Sequence, residues 1–227
     1  MTKRGIVTIA VIVAIAVALI LVFTLKRSAD EETPAPTYTI AIDAGHGGRD
    51  PGAAVDDVLE KDINLEIAEM LADLVAAEAD LEPALIRTLD IFISLEDRIA
   101  KAEEVGAILY VTVHVNSYSG PDPSGVETLV DDSRAVDDDS WVLAELIQDN
   151  VVRTTGARDR GTRSQESYLQ RTEMPAVSVE TGYLTNPEER GKLVDPAYQA
   201  KIAEGIFAGI REFIAYRYPE SAPAAQP

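Results

Sequence analysis

Residues Ala107–Val113 read AILYVTV, an unbroken apolar run that ends directly against His114. A strand without polar alternation is buried on both faces, as in a largely parallel sheet covered by helices. Outward from it, short apolar runs at Tyr38–Asp43 (YTIAID), Ala84–Thr88, Val126–Val130 and Ala176–Glu180 (AVSVE) predict further strands. Apolar residues at helical spacing (Ile63, Ile67, Met70, Leu71, Leu74) predict a helix over Asp62–Ala77, and similar readings place helices at Leu95–Val105, Asp138–Val152 and Pro196–Tyr216. Acidic residues open the third of these, where the helix dipole favours them. Strands alternating with helices define an α/β domain with a mostly parallel or mixed sheet.

The folded domain is expected over residues 37–218, preceded by two segments of other character. Residues Ile6–Leu25 (IVTIAVIVAIAVALILVFTL) carry no charge and span about 30 Å as a helix, enough to cross a bilayer. Lys3 and Arg4 before it favour an N-inside orientation with the rest of the chain exported. Cleaved signals have apolar stretches of roughly 7–15 residues and a small-residue site. Residues 1–27 therefore read as a retained signal-anchor and transmembrane helix, with secretion after cleavage as the alternative. Residues 28–36 (SADEETPAP) have linker composition, and 219–227 are expected to form a disordered tail.

Composition removes several function classes. The 227 residues include 20 Lys plus Arg against 39 Asp plus Glu, a net charge of −19. That sign disfavours nucleic acid as a partner. There is no cysteine, so disulfides, thiolate zinc sites and cysteine nucleophiles are excluded. Only two histidines exist, His46 and His114, and all imidazole chemistry runs through them.

Both histidines follow predicted strands: His46 in AGHGGRDPGA and His114 after AILYVTV, while Glu180 ends AVSVE. Three polar residues thus fall at the carboxyl ends of apolar strands, the edge where open α/β sheets bind ligands. The glycines around His46 lack the spacing of a nucleotide loop. Glu60 sits just before the first amphipathic helix. Two imidazoles and one carboxylate are the donor set of a catalytic zinc ion, and nitrogen donors argue against magnesium or calcium. Glu180 would then serve as general base for a water attacking a carbonyl.

At these same residues the chain resembles a known family, the zinc-dependent N-acetylmuramoyl-L-alanine amidases of the type-3 (AmiC/CwlV-like) group. The likeness runs through Thr39–Ala53 (TIAIDAGHGGRDPGA), Leu59–Leu71 (LEKDINLEIAEML), Arg87–Asp90, Leu95–Ser117 and Met174–Glu189 (MPAVSVETGYLTNPEE). The resemblance implies one zinc ion held by His46, Glu60 and His114, with Glu180 catalytic, on a six-stranded sheet wrapped by helices. It implies hydrolysis of the amide between N-acetylmuramic acid and L-alanine in peptidoglycan. The chain is expected to be a monomer and, from its N-terminal segment, to act outside the cytoplasmic membrane. Two blocks depart from the family pattern: Glu103 follows Ala102 where the family has asparagine, and Thr112 and Ser117 flank the second histidine while Asn116 is kept. Some members insert an autoinhibitory helix before the catalytic glutamate, and the interval from His114 to Glu180 is expected to lack one.

In so acidic a chain the stretch Arg153–Arg171 stands out, with Arg158, Arg160, Arg163 and Arg171. Arginine suits bidentate carboxylate recognition, so Arg163 and Arg171, with Asn116, are candidate substrate-binding residues. A solvated, charge-balancing loop is the other reading. Two other functions remain open at this level: a zinc peptidase acting within the stem peptide, and a noncatalytic wall-binding module.

Overall fold

The computed structural model describes residues 37–219; the expected membrane span, the linker and the tail from residue 220 onward lie outside the described residues. In chain order the strands are β1 (Tyr38–Ala44), β2 (Ala54–Val55), β3 (Val58–Leu59), β4 (Leu81–Leu85), β5 (Leu109–Asn116), β6 (Val126–Asp131), β7 (Asp159–Gln165) and β8 (Ala176–Tyr183). The helices are α1 (Glu60–Ala76), α2 (Leu95–Glu104), α3 (Asp139–Thr155), α4 (Pro187–Leu193) and α5 (Pro196–Arg217), with a 3-10 turn at Tyr168–Arg171. Six strands form one sheet in the order β4-β1-β5-β8-β6-β7. Its pairings are parallel except β6 with β8, which is antiparallel, so the sheet is mixed. Among the described residues no helix is long and apolar enough to cross a membrane.

The two sheet faces are covered unequally, and this positions the site. Ile40, Ile42, Val111, Val113, Val177 and Val179 project into the large core beneath α1, α3 and α5. The alternate residues Ala41, Tyr110 and Ala176 join a smaller cluster with Ile86, Ile93, residues of α2 and Leu169 of the 3-10 turn. Because side chains alternate along a strand, Asp43, His114 and Glu180 belong to this second, thinly covered face. The AILYVTV run is apolar throughout because both faces are covered at its start. The second face opens where α2 and the turn end, and the polar residues begin there.

The differences from the sequence reading lie at the edges. The strand expected at Ala84–Thr88 is Leu81–Leu85. Its Glu82 and Pro83 break the apolar pattern, and an edge strand tolerates a proline that lacks a donor. Strand β7 (DRGTRSQ) has no apolar residue at all, since it is the opposite edge and is largely exposed. The arginine-bearing stretch is thus the end of α3, an edge strand and a 3-10 turn, not one loop. The short β2–β3 hairpin and α4 were not expected. Helix α1 starts at Glu60, two residues earlier than expected, so Glu60 is its first residue.

Helices α3 and α5 approach closely through Gly205 and Gly209. A methyl at Gly209 would lie 2.5 Å from Ile147 Cα and 2.7 Å from its backbone nitrogen. Gly209→Ala is expected to lower stability by about 1–3 kcal/mol, although alanine is the better helix former by about 1 kcal/mol. Gly191→Ala in α4, where nothing lies within 4 Å, is expected to stabilise. Denaturant titration of both variants checks this; equal stabilisation by the two would contradict the packing.

Candidate metal centre

His46 lies two residues beyond β1, held in the left-handed region at φ 60°. That strained conformation persists because buried groups fix its neighbours. Arg87, just past β4, donates from Nε to Ala44 O (2.8 Å) and from Nη2 to Gly45 O (3.0 Å) and Lys61 O (2.7 Å). Arg98 of α2 donates to Ala44 O (2.9 Å) and to the carbonyl of His46 itself. Both guanidinium groups are almost wholly buried, and they tie the carbonyls of this loop to Asp43, to Lys61 O of α1 and to the carbonyls of Leu89 and Ile93.

Asp43 is fully buried, and a lone carboxylate there would be very costly. It receives Arg98 Nη1 at 2.6 Å, Tyr110 OH at 2.7 Å, Thr112 Oγ at 3.1 Å and Tyr168 OH at 3.1 Å. Burial and the charge of Asp43 hold both tyrosine hydroxyls above their ordinary range, so they remain donors. This network ties β1, β5, α2 and the 3-10 turn together beneath the open face.

Above it, three side chains converge. Glu60 is 4% exposed, at the N-terminus of α1, where the helix dipole favours a carboxylate. Its Oε2 accepts from Ala53 N (2.7 Å), and its Oε1 from Val115 N (3.1 Å). Oε1 also faces His46 Nε2 at 3.2 Å and His114 Nδ1 at 3.0 Å. The rings of His46 and His114 meet edge to face, 4.9 Å between centroids. Close approach needs glycine: a Cβ at Gly45 would lie 2.2 Å from His114 Cε1, and one at Gly52 2.5 Å from Glu60 Oε2.

The electrostatics follow from this crowding. Burial disfavours the His46 imidazolium, but the hydrogen bonds and charges of Glu60 and Asp50 outweigh it and push the group up to about 9. His114 is likewise raised against burial, by Glu60 and the charge of Glu180. Burial works against the Glu60 carboxylate too, yet the two imidazoles hold it well below the usual carboxylate range. The trio therefore behaves as a carboxylate in need of positive charge.

One donor atom from each of His46, Glu60 and His114 lies within 4.8 Å of the others. Two neutral imidazole nitrogens and one carboxylate oxygen suit a zinc ion of tetrahedral preference, leaving one position open. Asp50 accepts from His46 Nδ1 at 2.9 Å, the outer hydrogen bond that fixes a ligand imidazole's tautomer and orientation.

Glu180 stands beside His114 in the β5–β8 ladder, and its register partner on β6 is Glu127. Burial pushes it up to about 7; His114 opposes this, and the carboxylates of Glu60 and Glu127 add to it. It lines a cleft with His114, Gln165 and Tyr168. A second cleft shares His114 and Tyr168 and continues past His46 to Phe92 and Leu95.

Of the remaining expected residues, Asn116 and Arg163 both reach Glu127, whereas Arg171 lies apart. The Asn116 side chain is spent on the protein, donating to Glu127 Oε1 (2.8 Å) and accepting from Ser117 N (2.8 Å). Arg163 lies on β7 with Nε 3.1 Å from Glu127 Oε2, whereas Arg171 pairs with Glu96 on the exposed side of α2. Glu127, Asp43 and Asp50 were not singled out from sequence. Glu127 carried a signal nonetheless, as an acid near the start of a strand that is buried throughout.

Removing one partner of the buried Asp43–Arg98 pair leaves an uncompensated charge. Arg98→Met is therefore expected to lower the unfolding free energy by about 3–5 kcal/mol. Urea denaturation checks this, and a loss below about 1 kcal/mol would mean that the pair behaves like a surface ion pair.

Comparison with known proteins agrees with this architecture. Residues 40–212 match the Amidase_3 family model, described as N-acetylmuramoyl-L-alanine amidase. The chain is 38% identical over 191 residues to the uncharacterized protein YqiI of Bacillus subtilis, covering 84% of this chain and 91% of that one. It is 37% identical over 179 residues to the N-acetylmuramoyl-L-alanine amidase LytC of the same organism, covering 78% of this chain but 36% of LytC. The catalytic domain of CwlV, an N-acetylmuramoyl-L-alanine amidase from Bacillus (Paenibacillus) polymyxa, superposes with a TM-score of 0.74 at 34% identity, over 78% of this chain and 98% of that domain. With most of its folded residues matched by the family model, the chain belongs to the N-acetylmuramoyl-L-alanine amidases, a family of amide hydrolases.

Proposed function

We propose that this chain hydrolyses the amide between N-acetylmuramic acid and the L-alanine of the peptidoglycan stem, with one zinc ion held by His46, Glu60 and His114. The observation that carries this is the convergence of those three donors beside Glu180, in a member of an amidase family. A bound zinc ion would supply Lewis acidity toward the carbonyl oxygen and a more acidic water.

The chain's own residues supply the rest. Among the described residues no hydrogen bond from the protein occupies the Glu180 carboxylate, which lines the cleft. Glu180 takes the proton of the attacking water and returns it to the alanine nitrogen as the carbon–nitrogen bond breaks. Asp50 holds the His46 ring, and Arg87 and Arg98 hold the loop on which that ring stands. The helix between His114 and Glu180, α3, packs with α5 on the opposite sheet face, which supports turnover without an activator. The apolar run Ile6–Leu25 after Lys3 and Arg4 supports a catalytic domain tethered outside the cytoplasmic membrane, where peptidoglycan lies.

Digestion of purified muropeptides by the full-length chain, read by mass spectrometry, is expected to release intact peptides beginning with L-alanine. A chelator is expected to stop this, and added zinc to restore it. Fragments cut within the stem would instead identify a peptidase, and products indifferent to chelation would remove the metal. Glu180→Gln is expected to keep bound metal and lose at least about 100-fold in kcat, the scale of general-base catalysis. Asp50→Asn is expected to weaken zinc binding about 10–100-fold, measured by competition with a chromophoric chelator; unchanged affinity would release Asp50 from its role.

A further inference from the structure

The two clefts that meet at His114 and Tyr168 differ in chemistry. One runs past His46 to an apolar wall of Phe92, Ile93 and Leu95. The other runs past Glu180 over Ser178 and Gln165. Strand register extends this second path. Glu127 is opposite Glu180 on β6, and Leu129 is opposite Arg163 on β7. Residues at register positions share a face, and so do alternate residues along a strand. Glu180, Glu127, Gln165 and Arg163 therefore all stand on the open face, with Arg163 and Gln165 on the edge strand.

Arg163 is held but not saturated. Its Nε lies 3.1 Å from Glu127 Oε2 and 3.4 Å from the carbonyl of Arg160. Its side chain is 55% exposed, and among the described residues its two terminal nitrogens have no hydrogen-bond partner. Glu127 is already shared. Its Oε1 accepts from Asn116 and from Tyr183 OH (2.9 Å), while Arg160 Nε lies 3.4 Å from Oε2 without hydrogen-bond geometry. Two guanidinium groups thus face one buried carboxylate. One positive charge is left over beside the reaction centre of a chain whose net charge is −19.

We propose that Arg163, braced by Glu127 and Arg160, binds a carboxylate of the stem peptide, so that the peptide lies over β6 and β7 and the sugar lies toward Phe92 and Leu95. The inference rests on the amidase reading above. The chemistry of the scissile bond supports the assignment: the acyl side is a sugar whose acid is consumed in the amide, and the amine side is a peptide with free carboxylates. Reach supports it as well. Two strand spacings separate β8 from β7, about 10 Å, and an extended peptide covers about 3.3–3.6 Å per residue. Arg163 therefore meets the second or third stem residue. Its free nitrogens form the fork that grips a carboxylate in two parallel hydrogen bonds.

The test uses two ligands without a scissile bond: a free stem peptide beginning with L-alanine, and the same peptide with its carboxylates amidated. Titration calorimetry of the zinc-loaded full-length chain is expected to show preference for the free acid. Arg163→Gln is expected to weaken free-acid binding about tenfold or more, leaving the two ligands nearly equal, with Arg163→Lys intermediate. Equal affinity of the unaltered chain for both ligands, or the same loss for both in Arg163→Gln, would overturn the subsite. Because neither ligand is cleaved, a failure of hydrolysis would count against the amidase reading without changing this readout. In turnover of intact muropeptides the same variant is expected to raise KM for the free acid.

Discussion

The site depends on a carboxylate that the fold buries before anything is there to neutralise it. Glu60 is nearly inaccessible, yet two backbone amides, a helix N-terminus and two imidazoles all address its oxygens. Without a cation, protons on the histidines supply the missing charge, which is why both imidazoles are raised and Glu60 is lowered. A divalent ion answers the same demand more completely, and its binding would release those protons. Electrostatic need and donor chemistry thus point to one occupant.

Holding the carboxylate and imidazoles at this separation costs backbone strain and brings like groups close. The fold meets that cost with buried arginines. Arg87 and Arg98 cap the carbonyls that follow β1, and Asp43 anchors Arg98 from below. The asymmetric coverage of the sheet does the rest. One face carries α1, α3 and α5 and supplies the large apolar core, while the other is left open at the strand ends. His114 and Glu180 project from adjacent strands onto that open face, next to each other in the ladder. Rigid strands therefore set the spacing between His114 and Glu180, the proposed ligand and base, and of the four residues only His46 stands on a loop.

Much of this was legible in the sequence, and the reasons are physical. The central strands β1, β5 and β8 are buried on both faces, so hydrophobicity alone locates them; His114 and Glu180 interrupt their apolar runs near the carboxyl ends, and His46 follows β1 in a glycine-rich loop. The edges were not legible. Strand β7 has no apolar residue because neither burial nor a core requires one, and β4 hides behind Glu82 and Pro83. The supporting acids were missed for a related reason. Asp43 and Glu127 each sit within a largely apolar strand, where pattern reading treats an acid as an interruption. Only the pairing across strands reveals that each is a hub. Asp50 was readable in principle, four residues after His46 and within the same glycine-rich loop.

The central claim is that two imidazoles and one carboxylate bind a single zinc ion. The zinc K-edge absorption spectrum of the metal-loaded chain tests it directly. The expected spectrum is that of a four-coordinate site with two imidazole nitrogens and oxygen ligands at about 2.0–2.2 Å. A six-coordinate oxygen shell without imidazole scattering would contradict it.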